Sequence, residues 1–201
     1  AVNRPVISVT GVGKVRMDRM ISPGGAKPGD DILVTKWIAL EGTFRIAKRK
    51  EEELAVRYPR HMIREAEEFD RYLSVLPEAE LAAEAGVHAM HDISEGGVLG
   101  ALWELAECSG VGLEIELKKI PLRQETVEIC DFYGLNPYQM VSGGSMLMAA
   151  EDGNGLVHRL AQAGIPAVIV GKATAGNDRV ILNGEERRFL ELPQTDEIHK
   201  I

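Results

Sequence analysis

His91-Asp92-Ile93-Ser94-Glu95-Gly96-Gly97-Val98-Leu99-Gly100 is the stretch that decides the fold. Before it, Val87-His88-Ala89-Met90-His91 alternates in the manner of a strand. After it, Val98, Leu99, Leu102, Trp103, Leu105 and Ala106 build a broad apolar face at helical spacing, which predicts a helix over 94–109 closed by Gly110. Backbone N–H groups at a helix start are unsatisfied and sit at the positive end of the macrodipole. Glycines let a ligand approach that backbone closely, so the loop suits a phosphate or a carboxylate. The same residues also have a plain structural use. Asp92 or Ser94 would cap the helix, and Gly96 and Gly97 would let it pack close to the sheet. The spacing is not that of a P-loop, so the loop is no self-sufficient ATP site.

Working outward, strands and helices alternate along the chain. Pro23-Gly24-Gly25-Ala26-Lys27-Pro28-Gly29-Asp30 is a cluster of turn residues leading into a strand over 31–37. Glu41-Gly42-Thr43 is expected to end that strand and to offer Thr43 as a helix cap, with the helix interrupted at Pro59. Further helices are predicted over 61–73, 77–85, 124–133 and 156–163, and further strands over 113–117, 167–170 and 179–182. Several strands are joined by short turns, so a mixed sheet fits better than an all-parallel one. Strands are also expected on both sides of Ser142-Gly143-Gly144-Ser145. Two glycines between two hydroxyls could form an anion-binding nest of backbone amides, or a bulge or tight hairpin.

The composition narrows the function. Hydrophobic residues make up 45% and charged residues 27% of 201, with a net charge of −8. An acidic balance argues against a nucleic-acid partner, which needs a basic surface to neutralise phosphates. No apolar run approaches the ~20 residues of a membrane span. Cys108 and Cys130 lack zinc-type spacing and both fall in apolar helical patterns, so buried reduced thiols in a cytoplasmic protein are expected. His88 and His91 would point to opposite faces of a strand, so no shared metal is expected. Gly11-Val12-Gly13-Lys14 lacks the spacing of a nucleotide loop and reads as a strand end. Lys48-Arg49-Lys50-Glu51-Glu52-Glu53 reads as a solvated helix face.

His91-Asp92-Ile93-Ser94-Glu95-Gly96-Gly97-Val98 resembles the opening of the main helix in the C-terminal domain of the aminoimidazole-ribonucleotide (AIR) synthase family. Lys27-Pro28-Gly29-Asp30-Asp31-Ile32-Leu33-Val34-Thr35 resembles the start of that domain, Leu135-Asn136-Pro137 its middle, and Ile169-Val170-Gly171-Lys172 its closing strand. The resemblance implies an α/β (α+β) domain of three α/β/α layers around a mixed sheet. It divides the chain into 1–17, a remnant of the last strand of an N-terminal ATP-binding domain, then 18–185, the domain itself, and 186–201, a tail. The chain opens without Met inside the strand-like run Val6-Ile7-Ser8-Val9-Thr10, and a piece of a longer protein is therefore expected.

The resemblance further implies ATP and Mg²⁺, held mostly by the N-terminal domain, a homodimer through the full-length protein, and maturation partner proteins. The family's common chemistry is phosphorylation of an amide-type oxygen. Asp92, Ser94, Gly96 and Gly97 would face the cleft between the domains, and Ser142, Gly143, Gly144 and Ser145 would lie near it; no catalytic residue and no metal ligand is assigned. Glu41-Gly42-Thr43 and Ser-Gly-Gly-Ser-Met resemble the hydrogenase-maturation branch. The carbamoyl-dehydrating member of that branch ends in a cysteine that carries substrate, whereas this chain ends Asp196-Glu197-Ile198-His199-Lys200-Ile201. Cys108 and Cys130 could not replace a mobile tail thiol. A non-catalytic partner-binding relative and a purine-pathway enzyme stand as alternatives.

Overall fold

A strand has half its polar backbone to satisfy on each side, and Asp31–Thr35 does so at the centre of a sheet. In the computed structural model, which describes residues 7–201, this strand (β1) is buried at every position. The chain then gives helices α1 (Leu40–Arg49), α2 (Glu51–Leu54), α3 (Arg60–Glu67) and α4 (Leu76–Ala85), followed by strand β2 (Ala89–Asp92) and helix α5 (Gly97–Ser109). Next come β3 (Gly112–Glu116), α6 (Gln124–Tyr133), β4 (Met146–Ala150), α7 (Gly153–Gln162), β5 (Ala167–Thr174), β6 (Arg179–Asn183) and β7 (Glu186–Phe189). The seven strands form one sheet in the order β2-β4-β1-β5-β3-β6-β7. Neighbours are antiparallel except β3 and β6, so the sheet is mixed, as expected.

Side chains alternate across the pleat, and the two faces build two cores. Ile32, Val34, Leu147 and Ala149 face α5, where Val98, Leu102 and Leu105 are fully buried. Leu33, Met146, Met148 and Ala150 face the other way, against Ala82 of α4 and Leu156 and Leu160 of α7. These faces make the three α/β/α layers. Each large side chain buried in them contributes about 1.5–3 kcal/mol as an upper estimate. A third cluster, holding Ile46, Ile63, Ile129 and Cys130, joins α1, α3 and α6.

Several local expectations change. Helix α5 begins at Gly97 rather than at Ser94, because Gly96 before it (φ 86°) holds left-handed backbone that a helical turn cannot use; Gly97 at the first position is left-handed as well (φ 65°). Thr43 does not cap α1 but lies inside it, its hydroxyl donating to Ala39 O at 2.7 Å. The helix breaks at Lys50, so Lys48–Glu53 is no continuous face; Lys50 pairs instead with Glu53. No strand precedes Ser142, where Pro137–Gln139 is a 3₁₀ turn. Asn183-Gly184 turns the chain into a further strand, β7, which the sequence reading stopped short of.

Val6 lies outside the described residues, and Ile7–Thr10, with Gly11–Lys14 after them, form no strand here, there being no partner strand for them among the described residues. Cys108 is exposed on α5, since the apolar stripe of that helix turns away from it, whereas Cys130 is buried. No helix among the described residues is long and apolar enough to cross a membrane.

Candidate functional site

The two glycine loops meet. Ser94 O accepts from Gly97 N at 3.1 Å and from Ser142 N at 3.3 Å, so one carbonyl ties the start of α5 to the second loop. Ile93 N donates to Ser145 O at 3.1 Å, closing the pairing from the other side. Gly97 lies directly on the turn before the second loop. A Cβ there would stand 2.5 Å from Tyr138 O and 2.8 Å from Met140 N, so a side chain has no room.

In the first loop Asp92 and Ser94 are exposed. Neither caps α5. His91 packs beside them, Nδ1 on Asp92 O at 2.6 Å and Nε2 on Glu104 at 3.1 Å. His88 turns to a different neighbourhood, bonded to Asp30 and Lys27, so the two histidines are separate, as expected. The second loop is arranged in the opposite way. Ser142 and Ser145 are fully buried. Ser142 Oγ accepts from Ala39 N at 2.6 Å and donates to Met140 O, and Ser145 Oγ donates to Ser142 O. Both hydroxyls are therefore committed inside the fold. The loop's amides are less committed: among the described residues, those of Gly143 and Gly144 have no hydrogen-bond partner, nor do those of Val98 and Leu99 in the first turn of α5. Donors of this kind are what an anion site requires.

Four groups at the site carried no local signal. Glu41, in the first turn of α1, lays its carboxylate against Gly143. Asp196 reaches back across 100 residues, and its Oδ2 accepts from Gly96 N at 2.8 Å. Glu197 accepts from Asn136 N at 3.2 Å, and His199 pairs with Glu95. The segment 186–201 is thus a strand followed by a docked strap, with Ile198 buried beside Cys130. Burial, and then the nearby Glu197 charge, push the Cys130 thiol up to about 12. Burial also raises the Tyr138 hydroxyl above its ordinary range. Between the strap and α5 lies a cavity of about 160 Å³ bordered by Gly96, Leu99, Gln139 and Arg188. The described residues hold no group of three His, Cys, Asp or Glu side chains placed for a metal ion.

Residues 27–183 match the family described as AIR synthase related protein, C-terminal domain. The carbamoyl dehydratase HypE of Rhodobacter capsulatus is 28% identical over 173 residues, which are 84% of this chain and 48% of that protein. A candidate hydrogenase expression/formation protein of Methanocaldococcus jannaschii is 29% identical over 201 residues, 98% of this chain and 58% of that protein. The chain therefore spans about half the length of these curated relatives. The fold is shared with the hydrogenase maturation protein HypE solved with ATP, at a TM-score of 0.71 and 18% identity over 92% of this chain and 57% of that one. It is shared as well with a chain of a HypE–HypF complex, at 0.64 and 23% over 86% and 56%.

Proposed function

The chain belongs to the AIR synthase related proteins through their C-terminal domain, and from that premise we propose that it is the C-terminal part of an ATP-dependent enzyme of hydrogenase maturation. The carrying observation is the junction at Ser94 O, which draws two loops with unbonded amides into one place beside the exposed Asp92. The relatives named for hydrogenase formation support the branch, and the HypE structure solved with ATP supports the nucleotide.

The donor set fits the phosphate end of a nucleotide, because backbone N–H groups stabilise phosphoryl oxygens without adding a charge of their own. Bound ATP would supply a phosphoryl group to an amide-type oxygen of the substrate. This chain's part is to receive phosphate oxygens on the amides of Leu99 and of the Gly143-Gly144 loop, and to place the Asp92 carboxylate beside them. Glu41, Asp92 and Glu95 make the surroundings acidic, so a bare polyanion would be repelled and a cation-neutralised one accepted. The family resemblance implies that most ligands for Mg²⁺ would come from the part of the protein that precedes this domain. We assign residues 18–185, with the β7 strand and the strap that dock on them, to the domain, place residues 1–17 at its junction with that preceding part, and assign a homodimer to the whole, cytoplasmic protein. A maturation protein is the expected partner, by analogy with the HypE–HypF complex.

ATP turnover by the full-length protein tests this reading. Asp92→Asn should lower turnover by roughly 10²-fold or more while leaving the fold intact. Unchanged turnover would remove Asp92 from the site.

One observation favours a second reading. The chain's own Asp196 already holds the Gly96 amide, which suits a non-catalytic domain whose helix start is a closed structural feature and whose surface binds partner proteins. In that case Asp92→Asn leaves partner affinity unchanged, and the full-length protein hydrolyses no ATP with any ribonucleotide or carbamoyl substrate.

A further inference from the structure

Among the described residues, Lys36 (φ 53°) and Ala39 (φ 59°) are the two that hold left-handed backbone without being glycine. They stand at either end of the turn joining β1 to α1. Such a conformation costs energy and persists only where the surroundings over-determine it. Here the surroundings include a buried ion pair: Lys36 Nζ lies 2.7 Å from Glu78 Oε1, with the two side chains only 8% and 2% exposed. Nζ also donates to Tyr72 O and Ser74 O, each at 2.8 Å, so all three of its protons have acceptors.

What this turn touches is the second glycine loop, at three points. Ala39 N donates to Ser142 Oγ at 2.6 Å. Thr35 Oγ1 donates to Glu78 and accepts from Met146 N at 3.0 Å, at the loop's exit. Tyr72 and Leu73, held by Lys36, lie against Gly144, where a Cβ would come 2.8 Å from Tyr72 O and 3.0 Å from Leu73 Cα. Gly144 itself is left-handed, with φ 105°.

We infer that Lys36 is a positioning residue for the ligand loop, and that the strained 36–39 turn and the buried Lys36–Glu78 pair together clamp Ser142–Met146 in the shape that leaves the Gly143 and Gly144 amides unbonded. A buried ion pair adds little stability over an apolar pair of similar volume, so stability alone does not account for it. A clamp does, because charge and hydrogen-bond geometry select one loop conformation where packed methylenes would allow several. The functional meaning of the clamp rests on the reading of this loop as a phosphate-binding one.

The test is hydrogen exchange on the full-length protein carrying Lys36→Met with Glu78→Leu, which removes both charges together. Exchange at the Ala39, Ser142 and Ser145 amides, which the clamp keeps hydrogen-bonded, should quicken about tenfold while Leu33 and Leu147 in the sheet keep their protection. Unchanged exchange at the loop, or an equal loss of protection throughout β1 and β4, overturns the assignment. Should the double variant not fold, Glu78→Gln neutralises one partner and keeps its shape; a two- to threefold local quickening is then expected, and none would overturn the assignment. The half-saturating concentration of MgATP, measured on the same variants, should rise about tenfold with turnover at saturation little changed. A loop that loosens with no change in the nucleotide response would uphold the clamp and sink the nucleotide reading instead.

Discussion

Around Ser94 and around Ser142 the chain runs through two loops of similar composition, hydroxyl residues beside paired glycines, and treats their side chains in opposite ways. In the first, Asp92, Ser94 and Glu95 face solvent while the backbone is bonded by Asp196 and packed against Tyr138 and Met140. In the second, both serine hydroxyls are consumed inside the protein and the glycine amides are what remains. The difference teaches that the hydroxyls of a glycine loop do not announce its chemistry. Burial decides it: a hydroxyl at 0% exposure must bond within the fold, and a ligand can then meet only backbone.

The contrast can be attacked at graded strengths. The thiols give the largest effect. Cys108 rides exposed on the helix that the first loop opens, and Cys130 lies in the cluster under the second. With Cys130 pushed up to about 12 by burial, the native protein should react with a thiol reagent at Cys108 alone, Cys130 being slower by roughly 10³-fold or more at neutral pH. The sign follows for stability: the protonated thiol is favoured in the fold, so its contribution is complete below the ordinary thiol range and fades as pH rises towards 12. Equal labelling of both cysteines would break the contrast.

Gly97→Val comes next. It forces a branched side chain into left-handed backbone and against Tyr138 O, and should cost about 3 kcal/mol or more in denaturant unfolding. Ser142→Ala leaves Ala39 N buried without an acceptor, for about 1–3 kcal/mol. Asp196→Ala removes an acceptor at the start of α5, with an expected loss near 1 kcal/mol by the same measurement. Smallest is Asp92→Asn, within about 0.5 kcal/mol, because the side chain is exposed and meets only His91, at 3.8 Å. A large stability loss at Asp92, or none at Ser142, would reverse the assignment of the exposed and buried roles.

The sheet and its helices were legible wherever the pattern was local. Helix α6 spans 124–133 as read, and Gly86, Gly110 and Gly134 close their helices in left-handed backbone, as helix-terminating glycines do. Apolar periodicity records which face of an element is buried, and that much a linear string carries. What failed depended on a distant partner. Thr43 has the composition of a cap, yet Ala39, held by Ser142 across more than 100 residues, takes that place. The stretch 186–201 has no periodicity to mark it, and its fit is set by Gly96, Asn136 and Glu95.

By itself, then, the sequence determined the layer order, the glycine-opened helix after β2, and membership in a family whose C-terminal domain it matches over 27–183. Only the tertiary structure decided that Ser94 O joins the two loops, that the second loop offers amides rather than hydroxyls, and that Asp196 and Glu41 stand at the site. The physical reason is range. Helix and strand patterns repeat over a few residues, while burial and hydrogen-bond satisfaction are settled between segments that meet only once the chain has folded.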